Sequence, residues 1–334
     1  MNLRHNPIPF ILNAGDDATI LSCLEFFDLL HLPIARDCIE AIKKRRLETG
    51  AFPSQLNPDQ WGMKETIRNT LLLLQIGGFE ENGDLDKSLE FILGHQNPDG
   101  GWSENSELTI PAEFVELSNQ KSITWLTGDA VEILRLAERE EGPFNKAVDF
   151  LRKSQNEDGG WHCYSGSIGY KKKTPGDPDS TGQIAFLFSE IFGESDPAYI
   201  SGRALYERFL DELSNDVEQG YRHKLQDDAK VELDVYTLTS PFLSSLVDQP
   251  RRILSGFDIG DPRVRRIMDE LVGIQRPDGG WRPFWSDVSS PVYTVIAIKT
   301  LVLTGMLRIE DLIVDLRAYI GWKNLYQRLC GDEG

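Results

Sequence analysis

The chain has 334 residues, 40% of them hydrophobic and 26% charged, with a formal net charge of −18 and a pI near 4.7. An acidic balance of this size excludes nucleic acid as a natural partner and opposes adsorption to anionic membrane surfaces. No apolar run reaches membrane-spanning length and no basic leader precedes a long apolar run, so a cytoplasmic location is expected.

In chain order, a first apolar stretch begins near Asp16, and the phrase Arg46-Leu-Glu-Thr-Gly-Ala-Phe52 follows it. A second begins near Thr66, continues as Asn69-Thr-Leu-Leu-Leu-Leu-Gln-Ile, and precedes the amphipathic Lys87-Ser-Leu-Glu-Phe-Ile-Leu, which ends in Gln96-Asn-Pro-Asp-Gly-Gly-Trp102. A third, near Trp125, leads through Lys146-Ala-Val-Asp-Phe-Leu to Gln155-Asn-Glu-Asp-Gly-Gly-Trp161. The fourth, near Asp179, leads to a worn phrase, Asn215-Asp-Val-Glu-Gln-Gly-Tyr221. A fifth, near Asp234, leads through Arg266-Ile-Met-Asp-Glu-Leu-Val to Gln275-Arg-Pro-Asp-Gly-Gly-Trp281. The sixth starts near Ser290 and is followed by an amphipathic candidate from about Glu310 to Leu329. From Gln96 onward the phrases are spaced by 59, 60 and 60 residues, a period that signals stacked supersecondary units.

Each phrase follows apolar residues at helical spacing and carries glycines able to take positive φ, so it reads as a helix C-terminus with its turn. The stretches between phrases are apolar on most faces, as buried helices are. The unit is therefore an outer amphipathic helix paired with an inner buried one. Six such hairpins predict an all-α fold, an (α/α)6 barrel or toroid, in a single domain over residues 1–334.

The pattern basic-small-x-x-aromatic-aliphatic-x-x-x-Gln-x-x-x-Gly-x-Trp is whole from Lys146 to Trp161 and from Lys87 to Trp102, with Ser88 at the small position. From Arg266 to Trp281 it persists with Ile267 and Glu270 as departures. It resembles the QW motif of the squalene-hopene cyclase and class II terpene cyclase superfamily, whose α-barrels also resemble protein prenyltransferase β subunits. The resemblance covers residues 36–306 or so. It implies that Gln96, Gln155 and Gln275 cap the start of a neighbouring helix while Trp102, Trp161 and Trp281 pack over it, a structural role.

The family's Asp-x-Asp-Asp motif, whose middle acid protonates an alkene or epoxide, has its best match in Asp177-Pro178-Asp179-Ser180-Thr181. By that resemblance Asp179 is the acid, Asp177 its partner and Thr181 the threonine that often follows, with Ser180 replacing the last aspartate. The same residues read equally as a helix N-cap ahead of an apolar run. Lys171, Lys172 and Lys173 stand out in so acidic a chain as point charges able to hold a diphosphate, or as a solvated loop. Trp61, Trp125, Tyr236, Phe284, Trp285 and Tyr293 cluster at the starts of inner stretches, where ring faces stabilise cations or simply fill a core.

The expected function is thus a terpene cyclase-like enzyme of the isomerase or lyase type, starting by protonation of an isoprenoid or prenyl diphosphate. No metal site is expected: Cys23, Cys38, Cys163 and Cys330 have no paired spacing, and His162-Cys163 lacks further ligands. No cofactor is expected either, apart from magnesium should the substrate carry a diphosphate. Because family members with this chemistry usually join two barrels, a homodimer is a further expectation. Two other readings compete. One is a carbohydrate-active (α/α)6 enzyme, a polysaccharide lyase or glycosidase drawing its carboxylates from Asp16, Asp17, Asp234 and Asp287. The other is a non-catalytic toroid that binds a protein or a small apolar ligand.

Overall fold

The computed structural model describes residues 3–79, 83–109, 122–162, 176–219, 253–254, 260–283 and 286–330. In chain order the described elements are α1 (Ile8–Ala14), α2 (Asp17–Phe26), α3 (Pro33–Arg45), β1 (Phe52–Pro53), β2 (Trp61–Gly62), α4 (Met63–Gln75), α5 (Asp84–Gly94), α6 (Thr124–Leu136), α7 (Pro143–Ser154), α8 (Pro178–Phe192) and α9 (Pro197–Gln219), then α10 (Pro262–Gly273), α11 (Pro291–Leu303) and α12 (Ile309–Cys330). The chain divides into two compact units, Leu30–Phe209, and Met1–Leu29 with Leu210–Gly334. Within the first unit, α4 packs on α5 and α6, and α6 packs on α7 and α8. Within the second, α11 packs on α1 and α2, and α1 also packs on α12.

Local chemistry starts and stops these helices. Proline, whose fixed φ suits a first helical turn, opens α3, α7, α8, α9, α10 and α11. The outer helix α7 buries one stripe, Phe144, Ala147, Val148, Phe150 and Leu151. The inner helices α6 and α8 are buried on all faces from Leu126 to Leu134 and from Ser180 to Phe188, as their continuous apolar character dictates.

The repeated phrase is a clasp between successive outer helices. In the second copy, Asn97 and Gly101 close the turn backbone to backbone, and Asp99 Oδ1 accepts from the Gly101 N–H at 3.0 Å. Gly100 sits at φ +98°, and a Cβ there would come within 2.3 Å of the Lys146 carbonyl oxygen in α7. The fifth position is thus glycine for two reasons, its left-handed backbone and the approach of the next outer helix. Gly50, Gly159 and Gly279 repeat the arrangement at φ +91°, +91° and +86°, against the carbonyls of Lys87, Ser201 and Asn6.

The motif glutamine and tryptophan tie the clasp on either side. Gln96 Nε2 donates to its own Gly100 carbonyl (2.9 Å) and to Pro143 at the start of α7 (2.8 Å). Gln155 does the same with Gly159 (2.8 Å) and Ala198 (2.9 Å). The glutamine therefore grips the start of the neighbouring helix by donating to a carbonyl. The indole N–H groups of Trp102, Trp161 and Trp281 donate to Ile92, Leu151 and Leu271 at 2.7, 2.7 and 2.8 Å, satisfying carbonyls in the last turn of each outer helix. All three indoles are fully buried.

Two phrases behave differently from their sequence resemblance. Residues 215–219 of the worn phrase remain helical, as the end of α9, because its fifth position is Gln219 and offers no left-handed turn. The fainter Arg46–Phe52 is a full turn, because its fifth position is Gly50. There Arg46 takes the glutamine's place, donating to the Asp84 carbonyl at the start of α5 (3.0 Å) and pairing with the Asp84 carboxylate. The turn at Gln275 grips the segment ahead of α1: Nε2 donates to the His5 carbonyl (2.9 Å) and Oε1 accepts from the His5 N–H (3.1 Å).

Gly100→Ala is expected to lower stability by about 1–3 kcal/mol or more, from left-handed strain and the displaced α7 backbone. Trp161→Ala should cost about 3–5 kcal/mol as a large core truncation. Urea midpoints test both, and an unchanged midpoint in either variant would contradict the clasp.

Candidate active site

The entrance of each inner helix repeats as closely as the turns do. The residue ahead of the helix bonds back to the aromatic of the turn: Gly62 pairs with Phe52 across β1 and β2, and the N–H groups of Ile123, Asp177 and Ser290 donate to Trp102, Trp161 and Trp281 at 2.8 Å each. In α4, α6, α8 and α11 the fourth helical residue is a threonine. Thr66, Thr127, Thr181 and Thr294 are fully buried, and each Oγ1 accepts the backbone N–H of Phe52, Trp102, Trp161 or Trp281 at 3.0–3.1 Å. Thr181 therefore belongs to a lock shared by four helices. Its presence after Asp-x-Asp is explained by the repeat.

With this register fixed, the second residue of α4, α6, α8 and α11 stays uncovered while the fourth is buried. Lys64 and Trp125 are half-buried, Asp179 is exposed and Val292 is 41% exposed. Asp177 is the N-cap of α8, its Oδ1 accepting from the Ser180 N–H at 2.7 Å. Asp179 lies in the first turn, where the helix dipole favours a carboxylate. The Ser180 side chain is fully buried and its hydroxyl has no hydrogen-bond partner among the described residues. It faces the core, so it does not hold a proton on Asp179.

The remaining expected residues separate. The Trp61 ring packs on the outer side, edge-on to Phe91 at 5.1 Å and tilted on His95 at 4.8 Å. Trp125 stays at the α6 entrance with the Arg68 guanidinium 5.6 Å from its ring. Tyr293 is the third residue of α11 and only 4% exposed, in the core of its unit. Tyr236, Phe284, Trp285, Lys171, Lys172 and Lys173 lie outside the described residues, as do Cys163 and Asp234. Of the other acids, Asp16 caps α2 through the Thr19 N–H at 2.9 Å, and Asp287 pairs with Arg282 with its side chain 97% exposed.

One turn beneath the second position lies a polar layer that sequence reasoning missed. Arg68, Asp129 and Gln183 are the sixth residues of α4, α6 and α8, and spacing by four puts them on the same faces as Lys64, Trp125 and Asp179. Gln183 Nε2 reaches across to Asp129 Oδ1 at 2.5 Å and to the Trp125 carbonyl at 3.1 Å. Asp129 is 1% exposed. The signal was available: the three polar residues interrupt otherwise apolar helices at one register, readable once the helix starts are known.

Glu104 caps α4 from the neighbouring repeat. Its carboxylate accepts from the N–H groups of Met63 (2.5 Å), Lys64 (3.1 Å) and Asn105 (2.8 Å), supplying the cap that Gly62 lacks. Burial pushes its carboxyl above the ordinary value of 4.5, with Glu65 adding to the shift and the three N–H groups opposing it. Among the described residues no group of three or more His, Cys, Asp or Glu could hold a metal ion, and no helix is long and apolar enough to cross a membrane.

Together the fold and the turns define an all-α protein of paired inner and outer helices, similar to the (α/α) toroid folds of terpene cyclases. The family model for the squalene-hopene cyclase C-terminal domain matches residues 16–173. Lanosterol synthase of Saccharomyces cerevisiae is 28% identical over 131 residues, which cover 38% of this chain and 17% of that protein. The type II terpene cyclase MstE from Scytonema superposes with a TM-score of 0.56 at 15% identity, over 87% of this chain and 88% of that one. Its complex with geranylgeranyl dihydroxybenzoate, named as substrate, gives a TM-score of 0.52 at 15% identity, over 87% of each chain. An α-amylase from Clostridium perfringens reaches 0.51 at 11% identity over 86% of each, so the fold by itself is shared with carbohydrate chemistry. Over residues 16–173 the chain is thus similar to the squalene-hopene cyclase C-terminal domain, and the structural matches show a shared fold.

Because the folded carboxyl of Glu104 titrates higher than the unfolded one, it contributes stability that is full below the unfolded pKa and is lost as pH rises through the folded one. The stability difference between the wild type and Glu104→Gln should therefore shrink as pH rises from about 4 to neutrality, starting from the ordinary glutamate range. A difference independent of pH in urea titrations would contradict the buried cap.

Proposed function

We propose that this chain is a protonation-initiated isoprenoid cyclase in which Asp179 is the proton donor, Asp177 fixes the turn that carries it, and the Trp125 ring face stabilises the cation that forms. The observation that carries the reading is the inner-helix register: at the entrances of the packed helices α4, α6 and α8 the second position, uncovered in all three, holds Lys64, Trp125 and Asp179. The matches to terpene cyclases support the same chemistry.

Asp179 is exposed, so the apolar substrate must itself exclude water from it. Such desolvation favours the protonated carboxyl and leaves the substrate π bond as the base within reach. The O–H bond breaks as the new C–H bond forms, the π electrons of successive double bonds close rings, and the final cation returns a proton to regenerate the acid. Any magnesium would accompany a diphosphate substrate.

The test is incubation of the purified chain with farnesyl and geranylgeranyl diphosphates, followed by mass spectrometry for cyclic products that retain phosphate. Asp179→Asn is expected to lose about 10²–10⁴-fold in turnover, as for removal of a general acid. Undiminished turnover in that variant would reject Asp179 as the donor.

A further inference from the structure

We propose that Asp158, in the turn that closes α7, is a positioning residue for the proton donor Asp179, because its carboxylate fixes the backbone from which α8 starts. This inference rests on the cyclase reading and adds to that site a residue that lies outside it.

The observation is a difference between repeats. In the turns ahead of α6 and α11 the fourth-position aspartate uses one oxygen for two bonds. Asp99 Oδ1 accepts the Gly101 N–H at 3.0 Å and the Ser122 hydroxyl at 2.6 Å, and Asp278 Oδ1 accepts the Gly280 N–H and the Ser289 hydroxyl at 2.9 Å each. Asp158 divides the work between its two oxygens: Oδ1 accepts the Gly160 N–H at 3.0 Å, and Oδ2 accepts the Gly176 N–H at 2.9 Å. A serine hydroxyl can rotate without moving the chain that carries it, whereas a bond to N–H fixes the peptide plane itself. Such carboxylate-to-amide bonds are roughly twice as strong as neutral ones. Close approach requires glycine here, because a Cβ at Gly176 would come within 2.7 Å of Gly160 Cα and 2.8 Å of Leu205 Cδ2.

From Gly176 the restraint passes directly to the acid. The Asp177 N–H donates to the Trp161 carbonyl at 2.8 Å, so two successive peptide N–H groups are held by one turn. Asp177 Oδ1 then accepts the Ser180 N–H at 2.7 Å, and Thr181 Oγ1 accepts the Trp161 N–H at 3.0 Å. The chain is thereby tied at 176, 177, 180 and 181, on both sides of Asp179, while Asp179 itself stays exposed. The turn is braced in its place by Arg208 of α9, which donates to the Asp158 carbonyl at 3.3 Å. A donor that must reach one double bond of a polyene, and not the next, needs a fixed backbone of this kind.

The experiment compares Asp158→Asn with Asp278→Asn. Asparagine keeps one acceptor oxygen, which suffices for both bonds at 278, whereas at 158 its amide turns a donor toward one of the two N–H groups. With geranylgeranyl diphosphate, at a temperature where circular dichroism shows both variants folded, Asp158→Asn should lower kcat roughly 10- to 100-fold with KM unchanged, the penalty for a displacement of about 1 Å. Asp278→Asn should keep the wild-type kcat. A lower melting temperature for Asp158→Asn with kcat undiminished in the folded protein would mean a structural role alone and overturns the proposal. Amide hydrogen exchange at single-residue resolution gives a readout that needs no turnover. In the wild type the Gly176 N–H should exchange as slowly as that of Asp177, and Asp158→Asn should quicken exchange over residues 176–180. Exchange at Gly176 in the wild type at the rate of an open peptide overturns the proposal without any variant having to fold. Slow exchange at Gly176 that depends on Asp158, in a protein that cyclises nothing, upholds Asp158 as the residue that fixes the start of α8 and rejects the cyclase reading.

Discussion

The contact between the fifth-position glycine of each turn and a backbone carbonyl, of the next outer helix for Gly50, Gly100 and Gly159 and of the segment ahead of α1 for Gly279, is the constraint from which the rest of the structure follows. A Cβ at Gly100 or Gly279 would lie within 2.5 Å of that carbonyl, so one residue type satisfies both backbone conformation and packing distance. Close approach lets the glutamine at the first position reach both its own turn and the neighbouring helix. It also carries the indole into the gap, where its N–H gives the Ile92 carbonyl a second donor beside the His95 N–H. The hydrogen bonds of the phrase are consequences of that approach.

The same geometry governs the chemistry. Once the backbone N–H of the turn aromatic is bonded to a threonine in the first turn of the inner helix, the rotation of that helix is set. Its second residue stays uncovered and its fourth is buried, and in α6, α8 and α11 the third is buried as well. A cation, an indole and a carboxylate, Lys64, Trp125 and Asp179, therefore occupy equivalent places on α4, α6 and α8. Ser180, at a third position, is buried for the same reason, and it cannot replace an aspartate that has to act on its neighbour.

Much of this was legible in the sequence. The all-α hairpin repeat, the structural role of the motif tryptophans and the double reading of Asp177 as a cap follow from spacing and turn chemistry. One inference departed through overall likeness: Asn215–Tyr221 looks closer to the motif than Arg46–Phe52, yet only the latter has glycine at the fifth position, where the backbone demands it. The site was less legible because it depends on helix starts, which sequence locates only to within a few residues. An error of one residue turns Asp179 from an uncovered position to a buried one, and it hides the relation between Lys64, Trp125 and Asp179. Trp61 shows the same limit, since its short strand hands the ring to α5.

The grip of Gln275 on His5 joins residues 270 positions apart, whereas Gln96 and Gln155 find their partners within 47 and 43. On a ribosome adding about 5–20 residues per second, that difference separates the two kinds of contact by tens of seconds. The contiguous unit Leu30–Phe209 can assemble as it emerges, while the segment ahead of α1 must wait for a partner made much later. During that interval the apolar side chains Ile8, Ile11 and Leu12, buried in the finished protein, depend on chaperone cover or on transient neighbours to stay out of aggregates.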